Sequence, residues 1–214
     1  MKPIGIYGYG GLGREVACMI KAINKIKPCW EIIGFFDDSI EKVTQIDSLG
    51  QYLGGIEQVN SWPTEMAVVI CIGNPKTLQH IRSRINNTKL TFPNIIADDF
   101  TIEDKATFSI GEGNIIKSGC RVTTNIKIGN FNIFNGGVTL GHDVEIEDYN
   151  VIMPGVRISG EVSVGYRNLL GSMSFIKQGL KVGNDIVLSP LSPLLTNPTD
   201  GKTYIGNPAK VFKF

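Results

Sequence analysis

The sequence has only two histidines, His80 and His142, and four cysteines without CxxC spacing; it also lacks any dense basic run or long apolar stretch. Each shortage excludes a class of function. A histidine-ligated catalytic zinc needs about three such ligands, and the second histidine lies in the other half of the chain, so hydratase chemistry on a metal is disfavoured and none is expected. Cys18, Cys29, Cys71 and Cys120 are too few and too scattered for a disulfide scaffold, which reads as reduced thiols and a cytoplasmic protein. The 21 basic and 20 acidic side chains leave no electrostatic footprint for nucleic acid or an anionic membrane. No stretch approaches the length of a membrane span, and Gly5 interrupts the first apolar run, so neither a transmembrane helix nor a signal peptide is expected. A small molecule or another copy of the chain remains as partner.

What is present divides in two. Up to about residue 90, short apolar runs alternate with helical patterns. "PIGIYGYG" ends in glycines, and "GREVACMIKAINKI" then sets Val16, Met19, Ile20 and Ile23 at helical spacing. "EIIGFFDD" and "MAVVICIGN" are further strand-like runs, and "PKTLQHIRSRIN" opens as a helix with proline in its first turn. This is the outline of a small parallel α/β sheet.

From residue 110 an aliphatic or aromatic residue recurs every six positions, from Ile110, Ile116 and Val122 through to Leu188 and Leu194. An eighteen-residue period overlies it. Gly111, Gly129, Gly165 and Gly183 follow the repeat residue at that spacing with Glu147 as the exception, and Asn114, Asn132, Asn150 and Asn168 recur in step. A six-residue unit in eighteen-residue coils is the signature of a parallel β-helix. Two-residue alternation turns Val138 and Leu140 inward, which leaves Gly141, His142 and Asp143 at a corner. His142, Gly160 and Gln178 then stack along one edge of the prism.

Four candidate sites follow, each with a plain structural alternative. Gly8-Tyr9-Gly10-Gly11-Leu12-Gly13 satisfies GxGxxG between a strand and a helix start, where free N–H groups favour a phosphate; the alternative is a tight turn. Asp37 and Asp38 end the second strand, where carboxylates accept hydrogen bonds from a ribose or a base; the alternative is a solvated turn. His142 is a candidate base, because an exposed imidazole ordinarily titrates near pH 6.5, with Asp143 to orient it; the alternative is a polar turn residue. "YIGNPAKVFK" is either a cap over the last coil or, through Lys210, a phosphate contact.

A glycine-loop half with "FFDD" and "CIGNP", a hexapeptide half with N-x6-HD, and a closing "GNPAK" resemble the sialic acid O-acetyltransferase family, which includes nucleotide-amino-sugar N-acetyltransferases. The resemblance implies an α/β half-Rossmann domain over 1–92 that binds a nucleotide sugar, a left-handed parallel β-helix over 93–199, and a cap over 200–214. It also implies a homotrimer, acetyl-CoA as donor, and an active site between neighbouring subunits. Under it His142 is the general base, Asp143 the acidic residue beside it, and Asn135 a polar residue near the base. Gly10, Gly11, Leu12, Gly13, Asp37, Asp38 and Asn74 hold the nucleotide sugar, and Gly160, Gln178 and Lys210 hold acetyl-CoA. The chain departs from the family pattern in "NIIADDF", with Ala97-Asp98 where many members carry His-Pro, and in "LSPLSPLL" with its two prolines. The expected reaction is acetyl transfer to the amine of a UDP- or GDP-linked 4-amino sugar. O-acetylation of a sugar, a non-catalytic nucleotide-sugar-binding subunit, and a dinucleotide-dependent oxidoreductase are the rival readings.

Overall fold

The computed structural model describes residues 1–39 and 49–212, which form two compact units, Met1–Ile95 and Ile96–Phe214. In the first, β1 (Lys2–Tyr7), β2 (Trp30–Phe36), β3 (Tyr52–Gly54), β4 (Met66–Ile70) and β5 (Leu90–Thr91) make a parallel sheet in the order β3-β2-β1-β4-β5. Both faces of such a sheet are covered, so its inner strands read as unbroken apolar runs; all five residues of β4 are buried. Among the described residues three helices connect the strands: α1 (Gly11–Ile26), α2 (Ile56–Asn60) and α3 (Pro75–Arg84). The buried stripe of α1 is Gly13, Val16, Ala17 and Ile20. Met19 and Ile23, expected in that stripe, sit half-buried at its margins. Strand order reverses between β1 and β4, and in open α/β sheets that switch point is where a crevice opens beyond the carboxyl ends of the strands.

The second unit is a left-handed parallel β-helix, three sheets stacked face by face. The six-residue series deals itself evenly among them. Ile116, Phe134, Ile152, Leu170 and Leu188 fall on one face, Val122, Leu140, Ile158, Ile176 and Leu194 on the next, and Ile110, Ile128, Ile146, Val164 and Val182 on the third. All are buried apart from the half-buried Ile110, and they fill the prism. Each contributes roughly 1.5–3 kcal/mol of apolar burial.

Corners are made by one residue in six. From Gly113 to Leu191, every sixth residue has a φ between 53° and 76°, the left-handed region, and most of these are not glycine: Asn125, Phe131, Asp143, Tyr149, Glu161, Arg167, Met173, Asp185 and Leu191. The asparagine series is a buried ladder. Each Oδ1 accepts the backbone N–H one coil on, at 2.9 Å from Asn132 to Asn114, 2.8 Å from Asn150 to Asn132, and 2.9 Å from Asn168 to Asn150. It ends where Ile186 N–H donates to Asn168.

The glycine series and its exception share one cause. A Cβ at Gly111, Gly129, Gly165 or Gly183 would strike the side chain of Asn130, Asp148, Asn184 or Asp200, which folds back over the glycine to accept a backbone N–H one coil earlier. Glu147 has Tyr166 at the corresponding place, so no short side chain crosses it. At the end of the prism, Thr203–Ile205 and Lys210–Val211 pair antiparallel and bring Tyr204 and Ala209 into the core, the shielding a last coil needs.

Candidate active site

The glycines of the first loop have two different jobs. A Cβ on Gly8 would lie 2.7 Å from the Cys71 carbonyl, where φ is also +104°, and one on Gly13 would collide with the Gly8 carbonyl. Those two are demanded by packing. Gly10 and Gly11 face open space, so packing does not require them; they leave the backbone N–H groups approachable. Gly10 is the N-cap of α1, and among the described residues no side chain caps the helix and no acidic residue stands in its first turn. Such a terminus attracts an anion.

The two aspartates separate in the same way. Asp37 accepts the backbone N–H of Tyr9 and of Ser39, each at 2.9 Å, and so ties the glycine loop to the end of β2. Asp38 accepts the Tyr7 hydroxyl and the Ile56 N–H, both at 2.9 Å, and pairs with Arg84 at 3.4 Å. Its first task is structural: it starts α2 and holds β1 to β2. Burial, then the Asp38 contact, push the Tyr7 phenol far above its ordinary range, so it stays a donor. Asn74 caps α3 by accepting the Thr77 N–H at 3.0 Å, beside Gly73, which also faces open space. The loop, Asp37 and Asn74 thus gather at the carboxyl ends of β1, β2 and β4.

In the second unit, His142 and Asp143 stand at the corner after the strand Thr139–Leu140, their side chains 49% and 48% exposed. Asp143 Oδ2 lies 2.8 Å from His142 Nδ1. A carboxylate has no proton to give, so Nδ1 carries it and Nε2 of the neutral ring keeps a free lone pair. Asn125 and then His142 hold the Asp143 carboxyl below the usual range, so it remains ionised at neutral pH. Gly160 lies directly against the ring: a Cβ there would come 2.5 Å from Nε2. The expected stacking of His142 on Gly160 is therefore present, with Glu161 N–H donating to the His142 carbonyl at 2.8 Å and Gly179 N–H to that of Gly160 at 3.0 Å. Gln178 continues the edge and donates to Glu161 at 3.0 Å.

Two expected residues stand elsewhere. Asn135 is at the corner before Thr139–Leu140, 8% exposed, with its amide donating to Ile152 O at 3.1 Å and accepting from Lys117 at 3.3 Å. One chain does not bring it to His142. Lys210 is exposed on the terminal hairpin opposite Ile205. Between the two corners runs an open groove of about 410 Å³, lined by Arg121, Thr139, Gly141, Arg157, Ser159 and Phe175 among others. Sequence reasoning missed Asn125, although it stands eighteen residues before Asp143, in the period that located His142. It also missed Gly73, which shares its open surroundings with Gly10 and Gly11. Among the described residues, no group of three or more His, Cys, Asp or Glu is placed to hold a metal ion, and no helix is long and apolar enough to cross a membrane.

A Rossmann-like sheet followed by a left-handed β-helix defines the class of fold. Residues 3–85, which lie within the first unit, match the family model of the PglD N-terminal domain. No curated protein sequence matches the chain. Solved structures match over its whole length. The acetyltransferase domain of PglB from Neisseria gonorrhoeae has 20% identity over 99% of this chain and 100% of that one, with a TM-score of 0.86. Perosamine N-acetyltransferase from Caulobacter crescentus, a His-to-Asn mutant in complex with CoA and GDP-perosamine, has 20% identity over 100% and 98%, TM-score 0.87. WeeI from Acinetobacter baumannii has 24% identity over 99% and 100%, TM-score 0.87. At these identities the likeness is one of fold, and the fold is the one the sequence resemblance implied.

Proposed function

We propose that the chain transfers the acetyl group of acetyl-CoA to the amine of a nucleotide-linked amino sugar, a UDP- or GDP-linked 4-amino sugar. The observation that carries this reading is the His142 ring, its Nδ1 held by Asp143 and its Nε2 lone pair free. The sugar amine attacks the thioester carbonyl, a C–N bond forms, and Nε2 takes the amine proton. The C–S bond then breaks and the coenzyme leaves as a thiol, protonated from the imidazolium. Gly160 gives the pantetheine chain backbone to lie against, with Gln178 and Lys210 as further coenzyme contacts. Gly10, Gly11, Leu12 and Gly13 receive the diphosphate, with Asp37, Asp38 and Asn74 around the nucleoside. Asn135 enters the site from a neighbouring subunit of a homotrimer, which is why one chain leaves it a corner away.

Support comes from the similar structures: the Caulobacter protein is an N-acetyltransferase with CoA and GDP-perosamine bound, altered at a histidine, and the Neisseria domain is also solved with acetyl coenzyme A. The test is an acetyl-transfer assay offering UDP- and GDP-linked 4-amino sugars beside free sialic acid. Turnover on an amino sugar should fall on the order of 10²-fold or more in His142→Ala, with cooperative unfolding retained. Near-wild-type turnover in that variant, or preferred acetylation of the sialic acid hydroxyl, overturns the assignment.

A further inference from the structure

The deepest-rooted contact of the His142 corner comes from the coil before it. Asn125 Nδ2 donates to Asp143 Oδ1 at 2.6 Å, the oxygen that His142 does not use. Asn125 is itself fixed: its N–H donates to Thr107 Oγ1 at 2.7 Å, and that hydroxyl donates to Asp104 Oδ2 at 2.8 Å. Both Asn125 and Asp143 sit in left-handed corner geometry, φ 56° and 58°, so their side chains leave equivalent corners of adjacent coils and run side by side. Asn125 itself is exposed.

We propose that Asn125 is a positioning residue for the reaction: by fixing one oxygen of Asp143 it aims the other at His142 Nδ1 and so selects the tautomer whose Nε2 is a base. This rests on the acetyltransfer reading. A half-exposed aspartate without that anchor has free rotation about both side-chain bonds, and water serves His142 Nδ1 as well as it does. The ring then samples both tautomers, and only one of them presents a lone pair at Nε2. An exposed amide–carboxylate contact adds little to stability. The arrangement therefore bears on the ring and not on the fold.

Asn125→Gly removes the amide while keeping a backbone suited to positive φ. The first readout is ¹⁵N NMR of the imidazoles at about pH 8.5, where an ordinary imidazole is neutral. The protein has two histidines, so His80 on α3 serves as an internal control. His142 should populate the Nδ1–H form in the parent protein and shift toward Nε2–H in Asn125→Gly, with His80 unchanged. The second readout is kinetic: kcat should fall roughly tenfold, a fraction of what removing the base does, with KM for acetyl-CoA unchanged. In an Asp143→Gly background, Asn125→Gly should add no further loss, since its effect passes through Asp143. An unshifted His142 tautomer, or a kinetic loss that adds in full to Asp143→Gly, overturns the proposal. If the parent protein acetylates no amino sugar, the function fails, while the NMR result still decides whether Asn125 orients the ring.

Discussion

The two units hold their candidate site residues by opposite strategies. In the α/β unit each contact is singular: Asp37 binds the amides of Tyr9 and Ser39, while Asp38 binds a phenol, a helix-starting amide and a guanidinium. In the β-helix each residue is held by its counterpart one coil away, as Asn125 holds Asp143 and Asn132 holds Asn150. A change in the first unit therefore stays local, and neighbouring residues can differ completely in what they tolerate. A change in the second is felt along an edge, because a solenoid passes its interactions from coil to coil.

The largest effect tests the first half of that comparison. Gly13→Ala drives a methyl into the Gly8 carbonyl and should destabilise the protein on the order of 4 kcal/mol, read as the urea midpoint. Gly11→Ala, two residues away, adds its methyl to open space and should leave stability within about 1 kcal/mol. It should nevertheless weaken the thermal shift given by a nucleotide sugar if the glycine loop receives the diphosphate as proposed. Equal destabilisation by both substitutions would erase the distinction between packing and open glycines.

Next comes the ladder. Asn150→Ala removes the buried acceptor used by Asn168 N–H and Nδ2 and leaves the half-buried Gly165 carbonyl without its amide partner. The loss should be about 3 kcal/mol by denaturant unfolding. Because the damage runs along one edge, amide exchange should quicken at Asn132 and Asn168, one coil to either side, more than at β1 or β4. Uniform quickening across both units would break the contrast between local and propagated effects.

The same contrast explains what could be read from the residues. The β-helix was legible because a period repeats its message: the fifteen six-spaced residues from Ile110 to Leu194 each reinforce the others. Its corner geometry was not, since residues as unlike as Phe131, Arg167 and Leu191 take left-handed φ values there. In those places the stacked coil overrides residue preference. The first sheet was legible at β1, β2 and β4, whose apolar runs are long. It was not at β3, α2 and β5, which are two to five residues long and owe their form to neighbours already in place. Asp37 and Asp38 look identical as a pair. Only the positions of Tyr7, Ile56 and Arg84, all distant in sequence, assign one to the loop and the other to the sheet.

The smallest expected effect lies at the corner itself. The Asp143 carboxyl is lowered in the folded protein by Asn125 and His142, whereas in the unfolded chain it titrates near its ordinary value of about 3.9. A group depressed by folding contributes its stability in full above the unfolded value and loses it as pH falls through the folded one. Stability should therefore have a component that disappears below about pH 4 and is missing from Asp143→Asn. Solvent screens an exposed carboxylate, so the difference should be small beside that of the ladder. Asn125→Gly should remove the larger share of this acid dependence, because the asparagine contact is the stronger of the two causes. An acid limb unchanged by Asn125→Gly would mean that the coil before His142 does not hold Asp143 in solution, and the edge would then lose its propagated character at the corner proposed to carry the chemistry.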